Sequence, residues 1–224
     1  MKRNMLFTFL FVLLLSLSAL AQQKMVSTTD PFGNHLSVQM NTKTGSAHRV
    51  YGQLPNIKAF GFQRNNLSKA TIRKLSSKFF SDYRNILKIN PAQTKLRKAN
   101  TDGKLWFVSY SQAVDSVPVY GTEIGYTVNQ TGDIVALGAD TYQNLRISTT
   151  PGISNKAALA VAEKVFGIDS VKVLDPGSLT IYPVTTDTTS TFYLAWKVVL
   201  FNGTIKRGRL LCRCGKRRNC GSVQ

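Results

Sequence analysis

A metal or nucleophile site in this 224-residue chain would have to be assembled from two histidines, three cysteines and singly scattered carboxylates. Zinc peptidase chemistry needs two imidazoles one helical turn apart with a glutamate between them, so that both rings reach one ion and the carboxylate activates its water. His35 and His48 are thirteen residues apart in a polar, glycine-containing stretch, neither beside an acidic residue, and both read as exposed loop histidines. Cys212, Cys214 and Cys220 form a C-x-C-x5-C cluster with no histidine near it. Three thiolates fall short of the usual four zinc ligands, and a disulfide with one thiol left over is the other reading in an exported protein. Cys212 and Cys214 are too close in sequence to bridge each other easily. The run from Gly203 to Leu210 approaches a phosphate loop, but Arg209 and Leu210 replace the Lys and the Ser or Thr that bind phosphate and magnesium. A G-x-S-x-G nucleophile elbow is absent. No catalytic, metal-binding or cofactor-binding residue is assigned, and the expected role is recognition of another protein.

The elements that would carry recognition are legible as periodicity. Leu67, Ala70, Leu75, Phe79, Tyr83 and Ile86 recur at helical spacing, with Asn66 or Ser68 as the cap and Asn90-Pro91 as the stop. Trp106, Val108 and Tyr110 alternate with Leu105, Phe107 and Ser109, and Ile124, Tyr126 and Val128 alternate with Glu123, Gly125 and Thr127, as in half-buried strands. Asn129-Gln130-Thr131-Gly132 predicts a hairpin connection into a return strand from Ile134 to Leu137. A second helix is expected after Ser154, with Ala157, Ala158, Val161, Val165 and Phe166 as its apolar stripe and Gly167 as its stop. A second hairpin follows, Leu179–Val184 with Phe192–Val199. The fold class is therefore α+β, with two consecutive subdomains, each a helix packed on an antiparallel sheet. The segment 22–62, punctuated by Pro and Gly, is expected to be extended with at most one short strand.

Lys2 and Arg3 precede an apolar run from Leu6 to Leu17 and small residues at Ala19 and Ala21, the pattern of a secretory signal cleaved between Ala21 and Gln22. The run is shorter than a spanning helix needs. Export, to the periplasm or the exterior, with no membrane attachment after cleavage, is the expectation. The net charge of +18, from 29 Lys plus Arg against 11 Asp plus Glu, raises nucleic-acid binding as a class. Its distribution argues otherwise. Lys69, Arg73, Lys74, Lys78, Arg84 and Lys88 fall between the apolar positions of the first helix, as a solvated face does, and seven more cations crowd into the segment after Thr204. Trp106, Tyr110, Tyr120 and Tyr126 could stack bases, but aromatics at period two in strands are packing residues far more often. No specific nucleic-acid partner is expected.

Three motifs in order carry a family resemblance: Phe107 to Gln112, a strand ending in an aromatic and a Gln; Val117-Pro118-Val119-Tyr120-Gly121; and the turn Thr131-Gly132-Asp133 leading into Ile134-Val135. With the turn at Asn41–Ser46, the Ala-rich stretch Ile153–Gly167 and the strands Leu179–Phe201, the chain resembles the propeptides of secreted thermolysin- and fungalysin-type zinc metalloproteases. The resemblance covers roughly 41–201. It implies an FTP-like unit at 63–147, an incomplete PepSY-like unit at 148–203, and a role as intramolecular chaperone and inhibitor of a metalloprotease catalytic domain. Tyr110, Gln112, Val119 and Tyr120 match the family's most recurrent positions and are the candidate protein-interaction residues, with stabilisation of their own hairpin as the other reading. Trp106 stands where many members have His.

The resemblance ends near Phe201, and 204–224 is a basic, Cys-containing tail unlike anything upstream. Members of the family close the second unit with Tyr-Val-Asp-Ala-x-(Thr or Asn)-Gly-x-(Ile or Val). A codon string for Leu211–Cys220, shifted by one nucleotide, can encode Tyr-Val-Asp-Ala-Val-Asn-Gly-Gly-Ile. The expectation is a chain truncated or frameshifted before its catalytic domain, with an exposed sheet edge and marginal stability where the last strand is lost. A free-standing secreted protease inhibitor or envelope-binding module is the alternative.

Overall fold

The computed structural model describes residues 23–166, 172–186, 189–201, 207–213 and 220–223. The fold is α+β, with two α-helices and three antiparallel sheets among the described residues. The signal-cleavage pair Ala21 and Gln22, the helix stop Gly167 and Cys214 lie outside them.

In chain order, β1 (Gln23–Thr29), β2 (His35–Asn41) and β3 (Ala47–Gly52) precede helix α1 (Lys69–Leu87). Next come β4 (Thr94–Thr101), β5 (Trp106–Val114), β6 (Val117–Pro118), β7 (Glu123–Val128) and β8 (Ile134–Asp140). Helix α2 (Asn155–Phe166), β9 (Lys172–Thr185), β10 (Ser190–Phe201), β11 (Arg207–Arg213) and β12 (Cys220–Val223) complete the chain. Two compact units divide it, and they interleave rather than follow one another. One takes the described residues up to Ile89 with Ala99–Val108 and Gly125–Gln143; the other takes Asn90–Lys98, Ser109–Ile124 and the described residues from Asn144 onward. A strand of nine residues such as β5 is about 30 Å long, several times the width of a helix backbone, so its two halves can serve different cores.

In the first unit, β1, β2 and β3 form an antiparallel meander, which corrects the expectation of an extended lead segment. Leu36 and Val38 on β2 and Val50 on β3 supply a buried alternation, but Ser37, Gln39 and Arg49 dilute it in the sequence. The β2–β3 turn is an Asx turn: the Asn41 carboxamide oxygen accepts from the Lys43 and Thr44 amides. β3 lies so close to β8 that a Cβ on Gly138 would sit 2.3 Å from the His48 carbonyl oxygen. Only glycine admits that approach.

Helix α1 begins on a reciprocal capping box between Ser68 and Thr71 and ends at Lys88, whose left-handed φ of 56° returns its N–H to the Arg84 carbonyl. Ile72, Leu75, Phe79, Phe80, Tyr83 and Leu87 are buried. The stripe is thus rotated from the expected one, since Ala70 is exposed and Ile72, Phe80 and Leu87 join the core. All six cations on or just after α1, from Lys69 to Lys88, are exposed, as a solvated face requires. The Phe79 ring lies 4.6 Å from Tyr83 and 5.4 Å from both Phe60 and Tyr126, in tilted and edge-on contacts. Tyr126, on β7, keeps its hydroxyl satisfied at 2.7 Å from Ser76 Oγ.

In the second unit, β9 to β12 form an antiparallel sheet in the order β12-β11-β10-β9. Ser154 caps α2 through its hydroxyl and the Ala157 amide. Buried Ala158 and Ala162 on α2 pack against Val198 and Leu200 on β10, with Trp196, Ile153, Leu159 and Val173 around them. Small residues on the helix let its backbone approach the sheet closely. Ala157, expected in the stripe, is exposed, while Val165 and Phe166 have side chains outside the described set. The tail also departs from expectation: Arg207–Arg213 pairs with β10 and Cys220–Val223 with β11, so the outer edge of β10 is occupied. Backbone pairing asks for extended conformation rather than particular side chains, which is why an atypical composition can still fill the position.

Candidate functional site

The four residues singled out by family resemblance fall in the second unit, on β5 and on the segment that follows it. Asp115 and Ser116 connect β5 to β6, both at positive φ (46° and 70°), the backbone of a two-residue type I′ hairpin turn. This turn folds Val117–Gly121 back along β5. The Val119 amide donates to the Gln112 carbonyl (2.8 Å), the Gln112 amide donates to Thr122 Oγ1 (3.1 Å), and that hydroxyl donates to the Val119 carbonyl (2.8 Å).

The same segment then meets β9. Val119 makes a parallel bridge with Ile181, the Tyr120 amide donates to the Ile181 carbonyl (2.8 Å), and Thr180 Oγ1 donates to the Pro118 carbonyl (3.0 Å). The Tyr120 and Tyr182 rings lie 5.5 Å apart. β9 would otherwise be a sheet edge, and the clip satisfies part of it.

Gln112 and Val119 are each 2% exposed and Tyr110 is 6% exposed. Gln112 Nε2 donates to Gln93 Oε1 (3.1 Å), and Gln93 Nε2 donates to the Leu145 carbonyl (3.0 Å). These three side chains hold the unit together from inside; Tyr120 alone of the four is half exposed. Gln93, Thr122, Thr180, Ile181 and Tyr182 complete the cluster; the strand that holds the last three was legible, but their contacts with Pro118, Val119 and Tyr120 arise only through pairing at long separation. Substituting Gln112 by Ala is expected to lower stability by about 1–2 kcal/mol. Urea melts check this: the midpoint should fall with the slope unchanged.

The histidines stay apart in role. His35 opens β2 and is exposed. His48, expected as an exposed loop histidine with no acidic residue beside it in sequence, instead sits half-buried on β3 with Nδ1 2.9 Å from Asp140 Oδ2, and Asn41 Nδ2 donates to the other oxygen of that carboxylate at 2.7 Å. Asp140 reaches His48 from 92 positions along the chain, so no local pattern announces it. Among the described residues, no group of three or more His, Cys, Asp or Glu side chains is placed to hold a metal ion, and no helix is long and apolar enough to cross a membrane.

No family model matches the chain. A search of curated proteins likewise returns no match. Among solved structures, the chain is similar to the C-terminal domain of Bacillus megaterium YpeB, at 15% identity and a TM-score of 0.39, over 91% of this chain and 89% of that one.

Proposed function

We propose that this chain is the non-catalytic propeptide region of an exported zinc metalloprotease of the thermolysin or fungalysin kind, acting as chaperone and inhibitor of the catalytic domain and encoded here in truncated or frameshifted form. The observation that carries the reading is the placement of the family-like motifs. Phe107–Gln112 forms β5, Val117–Gly121 forms the clip onto β9, and Thr131–Val135 forms the turn into β8. Motif order therefore coincides with a pair of helix-backed antiparallel sheets. A protease fold rich in non-local contacts crosses a high folding barrier, and a preformed sheet surface that binds its intermediate lowers that barrier.

The second reading, a free-standing secreted inhibitor or envelope-binding module, is favoured by one feature: the exposed cations of α1 form a positive face suited to anionic material. Genomic sequence beyond the codon for Phe201 separates the two. The propeptide reading expects the frame shifted by one nucleotide to run on to an HExxH segment, and expects this chain to raise the peptidase activity recovered when that catalytic domain is refolded from denaturant. An early stop in the shifted frame, or refolding yields indifferent to the chain, overturns it.

A further inference from the structure

We infer that the exposed face of α1 is a docking surface for an anionic phospholipid membrane, on which the protein lies without inserting. At about 100° per residue, Arg73, Lys74, Lys78 and Arg84 fall within an arc of about 140°, and the stripe runs roughly 22 Å along the helix from Arg73 to Lys88. All are exposed, and Ser77, Ser81 and Asn85, which stand between them, are exposed, short and uncharged. Asp82, the one carboxylate of the helix, falls about 40° outside that arc. Among the described residues, no carboxylate forms an ion pair with any of these cations. Lys78 Nζ donates to the Phe60 carbonyl (3.2 Å).

An ordinary solvated helix face intersperses both signs and gains from opposite charges four residues apart. Here that spacing sets like charges together: Lys69 with Arg73, Lys74 with Lys78, and Arg84 with Lys88. Lys69 also occupies the first helical position, where the helix dipole opposes a cation. The helix thus carries a local electrostatic cost that its own fold does not recover, as a surface kept for a partner of opposite charge does. Shape selects the partner. The cations stand on the convex side of the helix and fan out too widely for one polymer strand to reach all of them, whereas flexible Lys and Arg stems bring their charges to one plane. Neither an aromatic side chain that would stack bases nor a large apolar one that would enter acyl chains lies among them, so the contact is with lipid headgroups. This surface gives the envelope-binding reading its partner and rests on that reading; the propeptide reading does not enter.

Flotation of the mature chain, Gln22 onward, with phosphatidylcholine vesicles containing about one third phosphatidylglycerol tests the inference. The protein should float with these vesicles, stay behind with pure phosphatidylcholine, and be released as salt rises from about 50 to about 500 mM. Arg73→Gln, Lys74→Gln and Arg84→Gln together should weaken the partition coefficient about a hundredfold, each cation near such a surface contributing about a factor of five. The same loss of charge at exposed cations elsewhere, Lys43→Gln, Arg97→Gln and Lys104→Gln, should weaken it less than about fivefold. The stripe variant should melt no lower than the parent, because it removes like-charge pairs. Arg73→Lys with Arg84→Lys should bind as the parent does, because adsorption reads charge rather than guanidinium geometry. Equal losses in the two triple variants, a stripe variant that binds like the parent, or retention on heparin with no vesicle binding overturns the inference. The heparin outcome leaves the envelope-binding reading standing with a glycan partner, and a refolding assay that fails with the catalytic domain leaves this surface untouched.

Discussion

Replacing Phe79 by Ala is expected to cost the first unit about 3–5 kcal/mol, the range for deleting a fully buried aromatic that its surroundings cannot fill. Phe79 is 0% exposed. Its ring touches Phe60, Phe80, Tyr83 and Tyr126, so its loss opens a void lined by four other rings, three of them on α1 or the turn beside it and one on β7. Phe79→Leu, which restores much of the volume, should recover a large part of the loss. Chemical denaturation followed by near-UV circular dichroism measures both variants. A change under about 1 kcal/mol for the alanine variant would mean that α1 does not pack through this residue.

The second large effect is expected at Asp30. The residue is 5% exposed and accepts from the Phe32 amide (2.9 Å), the Asn34 amide (2.8 Å), Asn34 Nδ2 (3.0 Å) and the Tyr83 hydroxyl (2.5 Å). It anchors the β1–β2 loop to the C-terminal half of α1. Burial by itself raises a carboxyl pKa; here the hydrogen bonds from Tyr83, Asn34 and Phe32 outweigh it and hold Asp30 below the ordinary aspartate value. On the Tyr83 hydroxyl, burial and the adjacent carboxylate both act upward, so it remains a donor throughout the neutral range. A depressed carboxyl pKa contributes stability that is fully present above the unfolded-state value of about 3.9 and is lost as pH falls through the folded-state value. Asp30→Ala is expected to cost about 2–4 kcal/mol at neutral pH, because it strands a buried hydroxyl and two loop amides. The variant should also show a weaker loss of stability below about pH 4 than the parent. Tyr83→Phe should cost less, about 1.5–3 kcal/mol, and leave the loop hydrogen bonds in place. Parallel acid-unfolding curves for variant and parent would sink the assignment.

Several elements were legible residue by residue. Ser68 as a cap, Asn90-Pro91 as a stop, the glycine turn at Gly132 and the alternation of Ile124, Tyr126 and Val128 are written in neighbours a few positions apart, where helix and strand periods act. The meander was not legible, because Ser37, Gln39 and Arg49 stand between its apolar positions and conceal a short apolar alternation. The candidate interaction residues show the same limit. Aromatic and amide side chains at Tyr110 and Gln112 look alike whether they face a partner or their own core, and burial at 6% and 2% exposure is decided by what folds over them.

By itself the sequence determined the α+β class, the helix N-caps Ser68 and Ser154, the turn at Gly132, the helix-on-sheet construction and the basic face of α1. Tertiary structure alone decided that Asp30 meets Tyr83 from 53 positions away, that Asp140 meets His48 from 92, and that Val117–Gly121 clips onto β9. The physical reason is range: periodicity and capping are properties of adjacent residues, whereas strand register and buried polar pairing depend on loop closures between segments that carry no mark of one another.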